Sequence, residues 1–386
     1  MSKLLVFVEN ILHLWYNDCM SKTPLNDMLS TYSKSTATRL HMPGHKGKVE
    51  GWCNDVTELS FTDDLRNPQG VIAASQALYA SKVGARFCHY LVNGSTAGLF
   101  AMASCVKGCA LVESTCHVSL TNGLRLFGKD FVVVDTDEQE GVSQPLTLQK
   151  LQQSVLDNPK VDAVFVTSPN YFGQVADLKQ MHKWLKKRGV RLFVDSAHGA
   201  HFGFSPLLPP NACNWCDATV QSTHKTLGAL TQTAVLLTND DKLSKQLKEA
   251  LNQITTTSPS FVLLASIEHA MDHMSRQAKA SYASLHKEVA RFVVNANKAG
   301  WQVLANDDFT RLVIDCHSKG YNAKAVYKAL EQQGVFCEFA TDRYLVAILS
   351  AYDDGMTLDV LYTALTQIHR PKTLSEFNYV ERCFEN

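Results

Sequence analysis

The sequence predicts an α/β protein: a large unit built on a mostly parallel sheet, followed by a smaller α/β unit. Three observations carry this. Short apolar runs alternate with helical patterns from about residue 87 to residue 237. Polar side chains recur just after those runs, at the strand C-termini where parallel sheets bind ligands. The chain has 386 residues, 45% of them hydrophobic and 19% charged, enough for a substantial core. Helices covering both faces of a mostly parallel sheet are the natural packing for such a pattern.

Composition narrows the function classes. Lys plus Arg and Asp plus Glu both number 37, so no net charge argues for a nucleic-acid partner. The basic run Lys183 to Arg188 reads as the solvated face of a helix. Leu4 to Tyr16 is apolar but interrupted by Glu9, Asn10 and His13, too short and broken for a membrane span, and no small-residue cleavage site follows. Residues 1–19 are expected to be an extension ahead of a fresh start at Met20. The 11 cysteines are scattered and odd in number, which fits reduced thiols and a cytoplasmic protein. Cys213-Asn214-Trp215-Cys216 lacks the second ligand pair that a zinc site needs.

In chain order, Pro24 to Tyr32 is helical, with Thr23 as a cap and Leu25, Met28 and Leu29 on one face. Arg39 to Gly47 is a loop: Pro43-Gly44 favours a turn, and Gly44 and Gly47 permit close backbone approach. Val71 to Val83 is a helix and Phe87 to Val92 a strand. Asn93 to Gly98 follows as a turn, leading into an apolar helix from Leu99 to Val106. Strands are expected at Ala110–Val112, Phe131–Val134 (a buried one), Val161–Thr167, Arg191–Val194 and Cys216–Val220, with a hairpin partner at Ala234–Leu237. Helices are expected at Leu146–Val155 and Leu178–Lys187. Leu243 to about Val294 is helical apart from the hydroxyl-rich loop Thr255 to Ser260. Beyond residue 300 come strands at Trp301–Val303, Leu312–Ile314, Val335–Phe339 and Tyr344–Leu349, and helices at Ala323–Gln333 and Leu358–Ile368. The expected division is an N-terminal extension and arm over 1–45, a large domain over 46–295 and a small α/β domain over 296–386.

Candidate chemistry centres on Gln221-Ser222-Thr223-His224-Lys225. A lysine at a strand mouth, beside hydroxyls and an imidazole, can hold an aldehyde cofactor as a Schiff base. Gly94-Ser95-Thr96, between a strand and a helix, offers backbone N–H groups, a helix dipole and hydroxyls to an anion. It is neither a Walker loop nor a G-x-G-x-x-G fingerprint, which points to a small phosphate ester rather than a nucleotide. His117 either lies on a flat ring or caps a helix. Ser95, Thr96, His117, Asp195, His198, Ser222, His224 and Lys225 all fall at expected strand ends, and that coincidence is the strongest functional signal.

Those stretches, with His41-Met42-Pro43-Gly44-His45-Lys46, Asp195-Ser196-Ala197-His198-Gly199-Ala200-His201 and Thr256-Thr257-Ser258-Pro259-Ser260-Phe261, resemble the pyridoxal-phosphate-dependent ornithine/lysine/arginine decarboxylases of aminotransferase-like fold, from about residue 22 to 369. The resemblance implies pyridoxal phosphate on Lys225, with Asp195 on the pyridine nitrogen and His117 and Ala197 on the two ring faces. It implies that Gly94, Ser95, Thr96, Ser222 and His224 hold the phosphate, with Thr256 to Ser258 reaching a partner subunit's phosphate across a homodimer. It also shows an acid at the place of Glu338, which would meet the distal charge of a lysine, ornithine or arginine substrate. Ser196 and Val118 stand where members commonly have Glu and Lys, and the family's extra C-terminal domain is missing or reduced. Another pyridoxal-phosphate reaction, such as an aminotransferase or a lyase, and a cofactor-binding protein without turnover are the alternatives. An aminotransferase would need an arginine clamp, for which Arg343 is the candidate.

Overall fold

A computed structural model describes residues 22–368; the extension at 1–19 lies outside them. The described chain divides into two compact units: residues 22–139, 143–170 and 175–278, and residues 140–142, 171–174 and 279–368.

In the first unit, α1 (Pro24–Ser33) and α2 (Val71–Val83) precede the sheet. Thr23 sits at the N-cap of α1 but its hydroxyl makes no capping bond. The free N–H groups are met instead by Glu268, whose carboxylate accepts from Leu25 at 3.0 Å and Asn26 at 2.8 Å. The sheet comprises β1 (Phe87–Leu91), β2 (Cys109–Glu113), β3 (Asp130–Val134), β6 (Val161–Thr167), β7 (Arg191–Asp195), β8 (Ala218–Gln221) and β9 (Ala234–Thr238), in the order β1-β9-β8-β7-β6-β2-β3. A short hairpin, β4 (Glu138–Gln139) and β5 (Val142–Ser143), falls where the chain passes between units.

Strands β8, β7, β6, β2 and β3 run parallel, while β9 is antiparallel to both β8 and β1. It follows that β1 points the same way as β8, and its C-terminal end lies on the same side of the sheet as theirs. Strand β3 was expected to be buried but is the outermost strand, and its Val133 is exposed.

The covering helices are α3 (Gly94–Ser104), α4 (Val118–Leu126), α5 (Leu148–Asp157), α6 (Leu178–Lys186) and α8 (Asp241–Ile254). One core layer includes Leu99, Met102, Val112, Phe165, Phe193 and Val220; a second includes Leu111, Val164, Val194, Met181 and Leu185. Helix α3 starts five residues earlier than the expected Leu99, so Gly94, Ser95 and Thr96 form its first turn. It lies close on β8 because Gly98 has no side chain: a Cβ there would come within 2.5 Å of Val220 Cγ2.

Helix α9 (Phe261–Lys298) crosses the point where the second unit begins, and the expected boundary at 295/296 falls inside it. The second unit carries an antiparallel sheet, β10 (Gln302–Val303), β11 (Arg311–Asp315), β13 (Tyr344–Ile348) and β12 (Phe339–Ala340), in that order, with α10 (Ala323–Glu331) and α11 (Gly355–Thr366). The strand expected over Val335–Phe339 is reduced to Phe339–Ala340, since only those residues pair with β13. Glu338 therefore precedes a strand rather than ending one.

Candidate active site

Backbone bonds knit the strand ends that carry the candidate residues. Thr167, Asp195 and Val220 are register partners at the C-terminal ends of β6, β7 and β8. Beyond them Ser168 N–H donates to Asp195 O, Ser196 N–H to Val220 O and Ser222 N–H to Ala197 O. The chain then makes one helical turn, α7 (Thr223–Thr226), with Ser222 at its N-cap and Lys225 within it.

Lys225 Nζ lies 3.1 Å from His198 Nε2. His198 is buried and Lys225 partly so. The Asp195 carboxyl is buried, and its Oδ1 accepts the N–H of Ala197 at 3.1 Å. Burial raises its pKa from the ordinary carboxylate value; the Ala197 N–H, Lys225 and His117 act the other way. His117 is exposed and sits at the N-cap of α4, its Nδ1 accepting from Ser119 N–H at 3.2 Å.

The first turn of α3 faces the same side. Gly94 has φ +66° and nothing within 4 Å of an added Cβ; Ser95 and Thr96 are half-buried, and the Asn93 side chain makes no capping bond. Gly94 N–H donates to Gln232 O at 2.8 Å, and Gln232 Nε2 donates to Val92 O at 2.6 Å. These two bonds tie the α3 turn to the Lys225 segment. His224 Nδ1 is 2.7 Å from Thr233 O, which leaves its Nε2 for another partner. Ser222 Oγ is buried with no hydrogen-bond partner.

Sequence reasoning missed Gln232, which holds φ +84°, a backbone conformation rare for a residue with a side chain. It also missed Glu113, a carboxyl only 3% exposed at the end of β2.

Pyridoxal phosphate fits this residue set. The unpartnered Ser222 hydroxyl, the uncapped amides of α3 and an imidazole suit a phosphate. Asp195 has no ion-pair partner among the described residues, and a protonated ring nitrogen would supply one.

Other candidates are carried by other segments. Thr256, Thr257 and Ser258 form an exposed loop between α8 and α9. Glu338 is exposed in the second unit, in a groove shared with Phe336, Tyr352, Asp353 and Met356. Arg343 is held by Asp315 and Glu140, at 2.8 Å each. Asp63 accepts from the N–H groups of Gly70 and Ile72 and so caps α2. Cys213 and Cys216 donate to the carbonyls of Val83 and Ala212, and burial pushes the Cys213 thiol up to about 12. No described helix is long and apolar enough to cross a membrane.

The chain resembles known proteins in sequence and in fold. The arginine decarboxylase of Halalkalibacterium halodurans is 27% identical over 380 residues, covering 90% of this chain and 77% of its own length. Arginine decarboxylase of Bacillus subtilis is likewise 27% identical over 378 residues, with the same shares covered. The constitutive lysine decarboxylase of E. coli superposes with a TM-score of 0.74 at 20% identity, over 89% of this chain and 60% of that one. The chain thus spans about 60% of the length of that solved decarboxylase. A serine palmitoyltransferase from S. paucimobilis, solved with a bound PLP–myriocin aldimine, superposes at 0.61 and 15% identity over 80% of both chains. The aminotransferase-like fold is therefore shared. The sequence profile of the Orn/Lys/Arg decarboxylase major domain matches residues 23–314, and the chain belongs to that family.

Proposed function

We propose that the protein is a pyridoxal-phosphate-dependent decarboxylase of a basic amino acid, lysine, ornithine or arginine, releasing CO₂ and an amine. The observation that carries this reading is the pairing of Lys225 with His198 at 3.1 Å, beside the buried Asp195 on the adjoining strand end.

When bound, pyridoxal phosphate supplies an aldehyde for amines and a conjugated ring that accepts the electron pair left by departing CO₂. The chain's own residues do the rest. Lys225 presents its amine at Nζ, and His198 Nε2 holds a proton or lone pair against it. Asp195 would keep a proton on the ring nitrogen. Ser95, Thr96, Ser222 and His224 would hold the phosphate, with Gly94 leaving room for it, and His117 and Ala197 would bracket the ring. Glu338 is proposed for the distal charge of the substrate. Arg343, committed to two carboxylates, is poorly placed to serve as an aminotransferase's substrate clamp. The exposed Leu40, Met42 and Trp52 support a homodimer that covers the loop following α1.

The test is incubation of the purified protein with pyridoxal phosphate and each of the three amino acids, with CO₂ and amine detection. Turnover of none would sink the proposal. Lys225→Ala should abolish covalent fixation of the cofactor by borohydride; retained labelling would show that another amine carries it.

A further inference from the structure

A cavity of about 20 Å³ within the first unit is lined by none of the residues given roles above. Its walls include Arg66 from the loop before α2, Gln76 from α2, His89 from β1, and Lys248 and Asn252 from α8. No described Asp or Glu lines it. Gln76 is only 7% exposed, yet its side-chain amide has no hydrogen-bond partner among the described residues. Arg66 Nε is buried and likewise unpartnered. The Arg66 guanidinium donates to the carbonyl of Asn252, from Nη2 at 3.1 Å, and Lys248 Nζ donates to Asn67 Oδ1 at 3.1 Å. Neither cation has an ion-pair partner among the described residues. Asp64, in the same loop, accepts the backbone N–H of Arg66 at 2.8 Å rather than its guanidinium.

Two half-buried cations without a counter-charge cost free energy, which an anion between them would offset. The charge of Lys248 reaches the cavity wall: desolvation first, and Lys248 after it, lower the His89 pKa to about 4. His89 is therefore neutral near pH 7 and adds no charge of its own. The Gln76 amide, Arg66 Nε and the Lys248 ammonium supply an excess of N–H donors. A water molecule must donate as well as accept, whereas a halide only accepts. Space sets the size of the guest. A water-sized species needs about 10–15 Å³, so the cavity takes one such species and has no room for a tetrahedral oxyanion.

We propose that this cavity is a binding site for a single halide-sized anion, chloride under ordinary conditions, held by Arg66, Lys248 and Gln76. The anion ties the loop before α2 and α2 itself to α8 and to β1, the strand that leads into the Gly94 turn. The site stands apart from the reaction proposed above, since it involves neither Lys225 nor a cofactor.

The test follows the thermal stability of the full chain while sodium chloride replaces sodium gluconate at constant ionic strength. Beyond half-saturation, each tenfold rise in chloride is expected to raise Tm by roughly 2–4 °C. A wild type indifferent to chloride overturns the proposal. Lys248→Met keeps the apolar stem and loses the charge, and its response to chloride should fall by at least half. An equal response in this variant and the wild type means a general salt effect or a water-filled cavity, and the proposal fails. Gln76→Glu places a carboxylate in the cavity and should abolish the response; a response retained in full also overturns the site. Crystals of the wild type grown in sodium bromide should show an anomalous peak inside the cavity. Bromide found only elsewhere would leave Arg66, Lys248 and Gln76 without the anion assigned to them.

Discussion

At Asp195, burial alone raises the affinity of the carboxyl for a proton, and a cation on its open side would lower it again. An amide in its place leaves the packing and the Ala197 contact possible but cannot hold a ring nitrogen protonated. Asp195→Asn is expected to retain the far-UV circular dichroism of the wild type. Its turnover should fall roughly 10²–10³-fold or more, the scale of losing one preorganised electrostatic partner. A near-wild-type rate would remove Asp195 from the ring. Glu338 invites a smaller number. A closed, desolvated ion pair would be worth on the order of 2–4 kcal/mol, but Glu338 is exposed, and exposed pairs contribute about 0–1 kcal/mol. Glu338→Gln should therefore raise KM for the diamino acid up to about 5-fold with kcat and cofactor affinity unchanged. Identical kinetics would take Glu338 out of substrate binding.

At the scale of elements, the placing of α3 depends on Gly98. Gly98→Ala drives a methyl group into Val220 and should destabilise the protein by about 1–3 kcal/mol. Chemical denaturation checks this, and Val220→Ala in the same chain should recover part of the loss. The limits of α2 could be read from the sequence to the residue, because its capping glycine and apolar run are local signals. The strand-end positions of Asp195 and Lys225 were legible for the same reason, since β-α alternation and turn residues act over a few positions. The start of α3 was misread because glycine is penalised inside helices, yet at a first turn Gly94 is free to take φ +66°. Residues 335–338 have strand-forming composition, but Val335 N–H turns back to Leu330 O, and although Glu338 N–H donates to Val346 O, the register with β13 begins only at Phe339. The cap of α1 comes from Glu268, 243 residues from Leu25, and the Glu113 bond spans 54 residues. No local pattern announces partners at such separations.

At the scale of the whole molecule, two desolvated groups tilt stability against pH in opposite senses. Glu113 is raised from 4.5 to about 7, so the folded chain holds a proton that the unfolded chain releases. Its contribution is fully present below about pH 4.5 and lost as pH rises through 7, in total about 3 kcal/mol. His89, half-buried beside Ser244, is lowered from 6.5 to about 4, chiefly by desolvation. Its neutral form is suited to the fold above pH 6.5, and stability is lost as pH falls toward 4, again by about 3 kcal/mol. Relative to the wild type, His89→Gln should gain stability as pH falls from 6.5 to 4.5, and Glu113→Gln as pH rises over the same span. Melting curves of the two variants that move in the same direction would contradict this.

The pairing of β1 with β9 also governs when the site comes into being. Phe87 meets Thr238, and Leu91 meets Ala234, so this edge of the sheet closes a loop of well over a hundred residues. The bond from Gly94 to Gln232 forms only with that closure. During synthesis, a chain that has just emerged past Lys225 already holds both Asp195 and the lysine, but β9 has yet to be made. The turn at Gly94 can already lie against β8 through Gly98, but it has no Gln232 carbonyl to meet. The Gly94 turn is thereby tied to completion of the sheet, and a half-made subunit lacks its bond to Gln232.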